Sequence, residues 1–295
     1  MNDTQVNIRQ VKLLNYLLIY PLSSRAEIEE SIEGEKGSRI TVIRDLNHLL
    51  DLGWVEQAGG GKHVKYSLKT GRELLIPVDL ENYFVEKTDT RNIKYPSFNS
   101  NLIKNLSGLF STDELDLFNQ GKVRLKDKFA NLDKTILKRE LERFTIELSW
   151  KSSQIEGNTY SLLETEELIK NKKEAKGHDK SEAVMILNHK NTFDLILGKR
   201  DSFKEISAMN IRSIHTELTK GLEITSGIRE SGVGITGTKY VPLDNRWQIE
   251  DALTTLIAYA HKVNLVPEKA LIFLAMIAYL QPFIDGNKRT SRMVT

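Results

Sequence analysis

The amino-terminal part of the chain carries apolar side chains at the spacing of α-helices. A first helix that ends near Tyr20 is predicted from an apolar stripe of Ile8, Val11, Leu14 and Leu18. Ser24 and Ser38 are suitable N-cap residues for two further helices, over residues 25–32 and 39–52. A serine hydroxyl suits this position because it accepts a hydrogen bond from the free N–H groups of the first turn.

Apolar and polar residues alternate after the third predicted helix, on both sides of a glycine cluster. Residues 54–56 and 62–68 flank the glycines at 59–61, which predicts a strand, a turn and a second strand. Three helices followed by such a hairpin resemble a winged helix-turn-helix domain, which we place at residues 1–70. Basic residues on or beside the third helix and the hairpin would meet the phosphates of duplex DNA: Lys36, Arg39, Arg44, Lys62, His63 and Lys65.

The charge of this domain leaves its role open. Residues 1–70 hold nine lysines and arginines and nine aspartates and glutamates, whereas DNA-binding modules are usually basic. Binding of a protein, or a packing role, is therefore the alternative to binding of DNA.

The rest of the chain predicts a mainly α-helical protein. Residues 71–110 contain Pro77, Pro96 and no regular pattern, and we interpret them as a linker with a connecting helix. From 111 to 295 apolar positions recur mostly at helical spacing, with one interruption rich in glycine and threonine at 225–243.

Composition and charge exclude several classes of protein. The 295 residues suffice for about two domains. The absence of cysteine excludes disulfides, thiolate metal sites and a cysteine nucleophile. Forty-two basic and forty acidic residues give a net charge of +2, which creates no strong attraction for nucleic acid or membranes. The longest apolar run, 270–280, is too short to span a bilayer, so we expect a soluble cytoplasmic protein.

The last fifteen residues carry the clearest chemical signal. Asp285, Gly286 and Asn287 predict a tight turn between a buried helix, 267–280, and a second helix that begins near residue 289. Three cations crowd that helix start, where free N–H groups and the helix dipole already favour an anion: Lys288, Arg289 and Arg292. Asp285 beside them is suited to Mg²⁺ that also binds phosphate oxygens. The pattern therefore favours a nucleoside triphosphate with Mg²⁺, and a solvated basic helix start is the alternative.

This segment resembles the signature of the Fic family, His-Pro-Phe-x-Asp-Gly-Asn-Gly-Arg-x-x-Arg. Seven positions match: Pro282, Phe283, Asp285, Gly286, Asn287, Arg289 and Arg292. Three other segments are also similar to the family. These are a helix with Ile211, His215, Leu218 and Gly221, a flap at 229–243, and an inhibitory motif at 152–158 that includes Ser152, Glu156 and Gly157. The resemblance spans about residues 145–295, and a winged helix joined to a Fic core is familiar in bacteria.

The resemblance implies an all-helical Fic domain at residues 111–295, with a short β-hairpin flap and the signature at 281–292, preceded by the winged helix. It implies binding of ATP and Mg²⁺ and transfer of AMP to a protein hydroxyl. Asp285 would bind Mg²⁺, and Arg289 would neutralise phosphate charge. Gly286, Asn287 and Lys288 would surround the phosphates through their N–H groups.

The resemblance also implies a self-inhibited state and a surface on which the target protein would dock. Arg292 would meet the γ-phosphate, and Glu156 would pair with Arg292 when the protein rests, as a carboxylate and an arginine fork do. A target loop would dock along the flap at Val233, Gly234, Ile235, Thr236 and Gly237, although local pattern alone fits a surface hairpin without a partner.

Two departures from the family pattern limit the prediction. Gln281 stands where the family has its catalytic histidine, and an amide has no group that accepts a proton near neutral pH. Loss of a general base costs roughly 10²–10⁴-fold in rate. The glutamine is either natural, in a nucleotide-binding pseudoenzyme, or an introduced substitution. Lys288 replaces the usual glycine, as in the Doc-type branch, which resembles a kinase.

Three functions follow from these residues. The first is AMP transfer to an unknown target protein, self-inhibited through Glu156 and weakened by Gln281. The second is an ATP-sensing transcriptional regulator with an inert Fic core, which binds DNA through Arg39, Arg44, Lys62 and Lys65. The third is phosphoryl transfer of the Doc type. We expect no membrane partner, and a homodimer is a further expectation.

Overall fold

We describe the protein from a computed structural model, which covers residues 6–31, 39–73, 75–78, 80–91, 93, 95–130 and 132–295. The chain divides into two compact units, Met1–Arg91 and Asn92–Thr295. The segment 71–110, which we interpreted as a linker, is thus divided between the two units. Ile76 belongs to the core of the first unit, and Ile103 to that of the second.

The described residues of the first unit form four α-helices and a small antiparallel sheet. Its elements are α1 (Ile8–Ile19), β1 (Ser23–Ser24), α2 (Arg25–Ser31), α3 (Arg39–Asp51), β2 (Val55–Ala58), β3 (Lys65–Leu68) and α4 (Leu80–Val85). The strand order is β1-β3-β2, with Ser23 opposite Tyr66 and Val55 opposite Leu68. The strand β1 was not predicted, since two residues show no periodicity.

The buried side of α1 differs from the predicted stripe, because Ile8 is 78% exposed whereas Leu13, Leu14 and Leu17 are buried. Asn7 caps α1 in a capping box with Gln10, and the apolar side of α1 packs into the core. The core of the first unit consists of Leu13, Leu14, Leu17, Ile28, Val42, Leu46, Leu49, Val55 and Ile76. The predicted cap Ser38 and the basic residue Lys36 lie outside the described residues.

The described part of the second unit is helical. Its helices are α5 (Thr112–Ala130), α6 (Lys134–Ile155), α7 (Leu162–Asn171), α8 (Lys180–Gly198), α9 (Ala208–Thr219), α10 (Arg246–Lys262), α11 (Val266–Leu280) and α12 (Asn287–Val294). The largest core lies among α9, α10, α11 and α12, where Ile214, Leu253, Phe273, Ile277 and Phe283 are buried. The helix α5 differs, because none of its side chains is buried.

The prediction of a short β-hairpin flap is wrong. Residues 229–243 form no strand pair and contain a turn in which the N–H of Thr238 donates to the carbonyl of Ile235, at 3.3 Å. Glycines at 232, 234 and 237 disfavour strands because they have no side chain to pack. The N–H of Val241 donates instead to the carbonyl of Pro96, at 2.7 Å, in an isolated bridge.

No helix among the described residues is long and apolar enough to cross a bilayer.

Candidate anion-binding site

The loop between α11 and α12 is closed by the side chain of Asn287. Its amide oxygen accepts the N–H of Phe283 at 2.9 Å, and its amide nitrogen donates to the carbonyl of Phe283 at 2.8 Å. The same nitrogen donates to Oε1 of Gln281 at 2.9 Å. Gln281 ends α11 with a left-handed backbone conformation. The three hydrogen bonds of Asn287 then hold the loop that follows. Asn287, predicted as a phosphate ligand through its N–H, therefore also builds the loop.

Gly286 allows α12 to begin close to α9. Its φ is +74°, and an added Cβ would lie 3.2 Å from Cγ2 of Thr219. A larger residue is therefore disfavoured by backbone conformation and by space. No side chain caps the first turn of α12, so its N–H groups are available to an anion.

His215 on α9 fixes the other side of this loop. Its Nε2 donates to the carbonyl of Asp285 at 3.0 Å, and its ring stacks on Phe283 with a centroid separation of 3.7 Å. Burial lowers the pKa of His215, so the ring is neutral at ordinary pH. The resemblance named His215 only as part of a family helix, and its contact with the loop was not predicted.

Arg289 is a buried cation with two donors to spare. Its side chain is 3% exposed, and its Nη2 donates to Asp285 at 3.1 Å. Its Nε and Nη1 are buried without a hydrogen-bond partner among the described residues. Since buried guanidinium donors are costly to leave unpaired, the geometry favours a bound anion at this point.

Arg292 contacts the end of α6. Its Nη2 donates to Oε1 of Glu156 at 2.6 Å and to the carbonyl of Ser152 at 3.1 Å. Its Nε donates to Oγ of Ser152 at 3.0 Å. The arginine and the glutamate are 19% and 23% exposed, so solvent screens this ion pair only in part. Gly157 follows Glu156 with a φ of +93°, where the chain turns away from α6.

His189 on α8 orients the serine that receives Arg292. Its Nδ1 lies 2.9 Å from the carbonyl of Met185, which requires the proton on that nitrogen. Its Nε2 therefore accepts the hydroxyl proton of Ser152, at 2.7 Å. Burial, with the charges of Arg289 and Arg292, lowers the pKa of His189 to about 4. No sequence signal near the signature could have indicated this residue, because it lies on a separate helix.

Gln281 makes hydrogen bonds with both ends of its amide. Oε1 accepts from Asn287, and Nε2 donates to the carbonyl of Ala278 at 2.5 Å. Arg229, which begins the flap, donates from its Nε to the carbonyl of Gln281 at 2.6 Å. The position of the family histidine is thus held firmly, but by a residue that cannot take up a proton.

The α11–α12 loop borders a cavity of about 260 Å³. Its walls come from the flap, from the end of α6 and from the α11–α12 loop: Val233, Gly234, Ile235, Thr236, Glu156, Gln281, Ile284, Asp285, Gly286, Asn287 and Lys288. Gly237 of the predicted flap set does not line it. Asp285 and Lys288 are exposed, so the cavity opens to solvent beside the carboxylate of Asp285 and the first turn of α12.

The fold and this site define a helical domain with a candidate anion-binding loop between two buried helices. The model of the Fic/DOC family matches residues 205–295, so this segment is similar to a Fic/DOC domain. The comparison with curated proteins gives no match.

Solved structures resemble the chain in fold. A Fic domain-containing signaling protein from Bacteroides thetaiotaomicron is similar with a TM-score of 0.50 and 20% identity, over 57% of this chain and 66% of that protein. The chain thus covers just under two thirds of that protein's length. Fic-1 from C. elegans has a TM-score of 0.50 and 16% identity, over 98% of this chain and 83% of the solved segment.

Proposed function

We propose that the chain binds ATP with Mg²⁺ at the start of α12 and is built for transfer of AMP to a hydroxyl of another protein. The buried guanidinium of Arg289 supports this proposal most directly, because two of its N–H groups lack a partner in the described part of the chain. The uncapped first turn of α12 adds backbone donors beside it.

The residues present fit the phosphates and the metal ion. The N–H groups of Gly286, Asn287 and Lys288 would bind the phosphates, and Arg289 would offset their charge. Asp285 would contribute one carboxylate, as Mg²⁺ sites in nucleotide-binding proteins use, and it is 63% exposed. When bound, Mg²⁺ orients the phosphates and reduces their negative charge.

The contact between Arg292 and Glu156 supports self-inhibition. A carboxylate at 2.6 Å from Nη2 occupies the donor that a terminal phosphate would need. Ser152 accepts from Nε and Nη2 of the same guanidinium, so two of its three nitrogens bond to α6. We infer that ATP binds more weakly, or in an unreactive position, until Glu156 withdraws.

The glutamine at position 281 limits turnover. A target hydroxyl that attacks the α-phosphate must lose its proton, and the Gln281 amide cannot accept it. The residues that would bind and orient nucleotide do not depend on that proton. We therefore propose nucleotide binding without efficient transfer, and docking of the target along residues 233–237.

Calorimetric titration with Mg²⁺–ATP and Mg²⁺–ADP tests binding and self-inhibition. Replacing Glu156→Gln frees Arg292 and should strengthen ATP binding about tenfold while leaving ADP almost unchanged. Glu147→Gln is the matched control, because it also removes a carboxylate from α6, one that lies 3.8 Å from Arg143. An equal response to both nucleotides would reject self-inhibition, and no binding by any variant would reject the nucleotide site.

Intact mass spectrometry tests the transfer chemistry. The Glu156→Gly variant should acquire an adenylate adduct from Mg²⁺–ATP only when Gln281→His is also present, if the chain carries a hydroxyl that can accept AMP. Label on the α- or the γ-phosphate separates AMP transfer from phosphoryl transfer of the Doc type, which Lys288 keeps as an alternative. Label transferred from the γ-phosphate alone would replace the first proposal with the second.

A second candidate is an ATP-sensing regulator whose first unit binds DNA as a winged helix. The order of α1, α2 and α3 with the sheet β1-β3-β2 supports that interpretation. Arg39, Arg44 and Asn47 are exposed along α3, which suits phosphate and base contacts. Lys65 forms an ion pair with Glu27 at 3.2 Å, which makes its charge less available to a DNA phosphate. The side chain of Lys62 is not among those that the structure describes.

A titration of duplex DNA at several salt concentrations tests this second candidate. Binding through phosphates should weaken as salt rises, and Arg44→Ala should reduce both the affinity and the salt dependence. Lys12→Ala removes an exposed charge from α1 and should change neither. Salt-insensitive binding, or none, would favour a protein-binding or packing role for this unit.

A further inference from the structure

The helix α5 is long and yet buries none of its nineteen residues. It also carries Gly121 near its middle, which lowers helix stability in water by about 1 kcal/mol relative to alanine. Isolated helices of this length are marginal, because most helical stability comes from packing of an apolar face. The helix therefore requires a surface to pack against.

One face of α5 has the pattern of a coiled-coil seam. Leu115, Phe118, Leu125 and Phe129 occupy the first and fourth positions of successive heptads, and Lys122 occupies the remaining core position. Phe118 is 46% exposed and Leu125 is 54% exposed. A hollow of about 500 Å³ beside Phe118, also lined by Phe110 and Lys122, remains open to an apolar side chain.

The charges of α5 are divided between its two halves. The first half carries the acidic residues Asp113, Glu114 and Asp116. The second half carries Lys122, Arg124, Lys126 and Lys128 with a single acidic residue, Asp127, and so stays positive. A second α5 that runs antiparallel places acidic against basic halves, whereas a parallel one places like charges together. Antiparallel helices also oppose their dipoles favourably.

We propose that α5 helices from two copies of the chain pair as an antiparallel coiled coil. In this register Leu115 packs against Leu125 of the second copy, and Phe118 packs against the aliphatic stem of Lys122. The flanking positions bring Glu114 opposite Lys128, and the small residue Gly121 lies opposite itself. The bond from Lys128 to Glu140 within the chain is long, at 3.9 Å, and both residues keep solvent contact. This pairing does not depend on the nucleotide-binding proposal.

Sedimentation equilibrium of the full chain over a range of concentrations tests the pairing. The unmodified chain should associate to a dimer, and Leu125→Glu should weaken that association at least about tenfold, because each dimer contains the change twice. Val123→Glu is the matched control: Val123 is 59% exposed but lies on another side of α5, so its change should leave dimerisation intact. A chain that stays monomeric at every concentration, or equal effects of the two variants, would overturn the proposal.

Cross-linking through single cysteines tests the orientation, because the chain has no cysteine of its own. Gly121→Cys should form a disulfide-linked dimer on mild oxidation, because position 121 opposes itself. Lys128→Cys should not, since its partner position is 114, whereas the double variant Glu114→Cys, Lys128→Cys should cross-link. A parallel pair would link Lys128→Cys as readily as Gly121→Cys, and that result would overturn the antiparallel arrangement.

Discussion

The helices α12 and α5 of the second unit differ in how much of each is buried: the short helix is mostly buried, and the long helix has no buried residue. α12 has eight residues, of which six are buried, and α5 has nineteen, of which none is. In α12 the polar side chains of Asn287, Arg289 and Arg292 bond to groups on other segments. In α5 the apolar side chains of Leu117, Phe118, Val123 and Leu125 are exposed, and those of Leu115 and Phe129 are only half-buried.

The comparison teaches that helix amphipathicity alone does not say how a helix is stabilised. Hydrogen bonds join α12 to the α11–α12 loop and to α6, and His215 of α9 holds that loop, so the position of α12 is fixed within one chain. The apolar stripe of α5 is only partly covered in the described part of the chain, and the proposed partner helix would cover the rest. A site that binds phosphates needs the first kind of support, because its donors must be held in place before the ligand arrives.

The largest effect is expected where α12 begins. Asn287→Ala removes three hydrogen bonds and leaves the N–H and carbonyl of Phe283 and Oε1 of Gln281 buried without their partner. We expect the free energy of unfolding of this unit to fall by about 3 kcal/mol. Chemical denaturation followed by circular dichroism measures it.

Lys288→Ala is the control for that change, because Lys288 is the exposed neighbour of Asn287 on the same turn. It should alter stability by less than about 0.5 kcal/mol. Equal losses for the two variants would show that the start of α12 is not fixed by the Asn287 bonds, and the contrast with α5 would then fail.

Much of α12 could be predicted from the sequence, but few of the contacts that hold this helix in place could be. The turn at Asp285–Asn287 follows from residue type, and the pairing of Glu156 with Arg292 was expected through family resemblance. The support from His189 was not predictable, because a single histidine on a distant helix gives no periodic signal. The flap prediction failed because the hairpin was expected from the family resemblance, while the glycines at 232, 234 and 237 disfavour strands. For α5, the pattern predicts a helix and cannot say that its apolar side is uncovered.

The pH dependence of the free energy of unfolding tests the role of His189, which bonds the serine that receives Arg292 of α12. His189 is 1% exposed, and its pKa of about 4 lies below the ordinary 6.5 because burial disfavours the charged ring. The unfolded chain therefore binds more protons between pH 6.5 and 4, so stability is complete above pH 6.5 and declines as the pH falls toward 4. The decline attributable to His189 is at most about 3 kcal/mol. Denaturant titrations at several pH values measure this dependence.

The variant His189→Gln separates this residue from other groups that titrate. A glutamine fills part of the space and carries no titratable proton, so the decline with acidification should become shallower. It should not vanish, because burial lowers the pKa of His215 as well. An unchanged slope in His189→Gln would mean that this histidine is not held neutral.

The smallest effect is expected in α5. Gly121→Ala adds a methyl group at a position where nothing lies within 4 Å, so it can only improve helix propensity. Local opening of α5, followed by hydrogen exchange at a concentration where the chain is monomeric, should become less favourable by about 0.5–1 kcal/mol. The temperature of global unfolding should not move, because α5 buries no side chain on which the rest of the unit depends. If the global unfolding temperature rises by the amount that about 0.5–1 kcal/mol of added stability predicts, α5 folds cooperatively with the core, as α12 does. A second copy of the chain would then not be needed to stabilise α5.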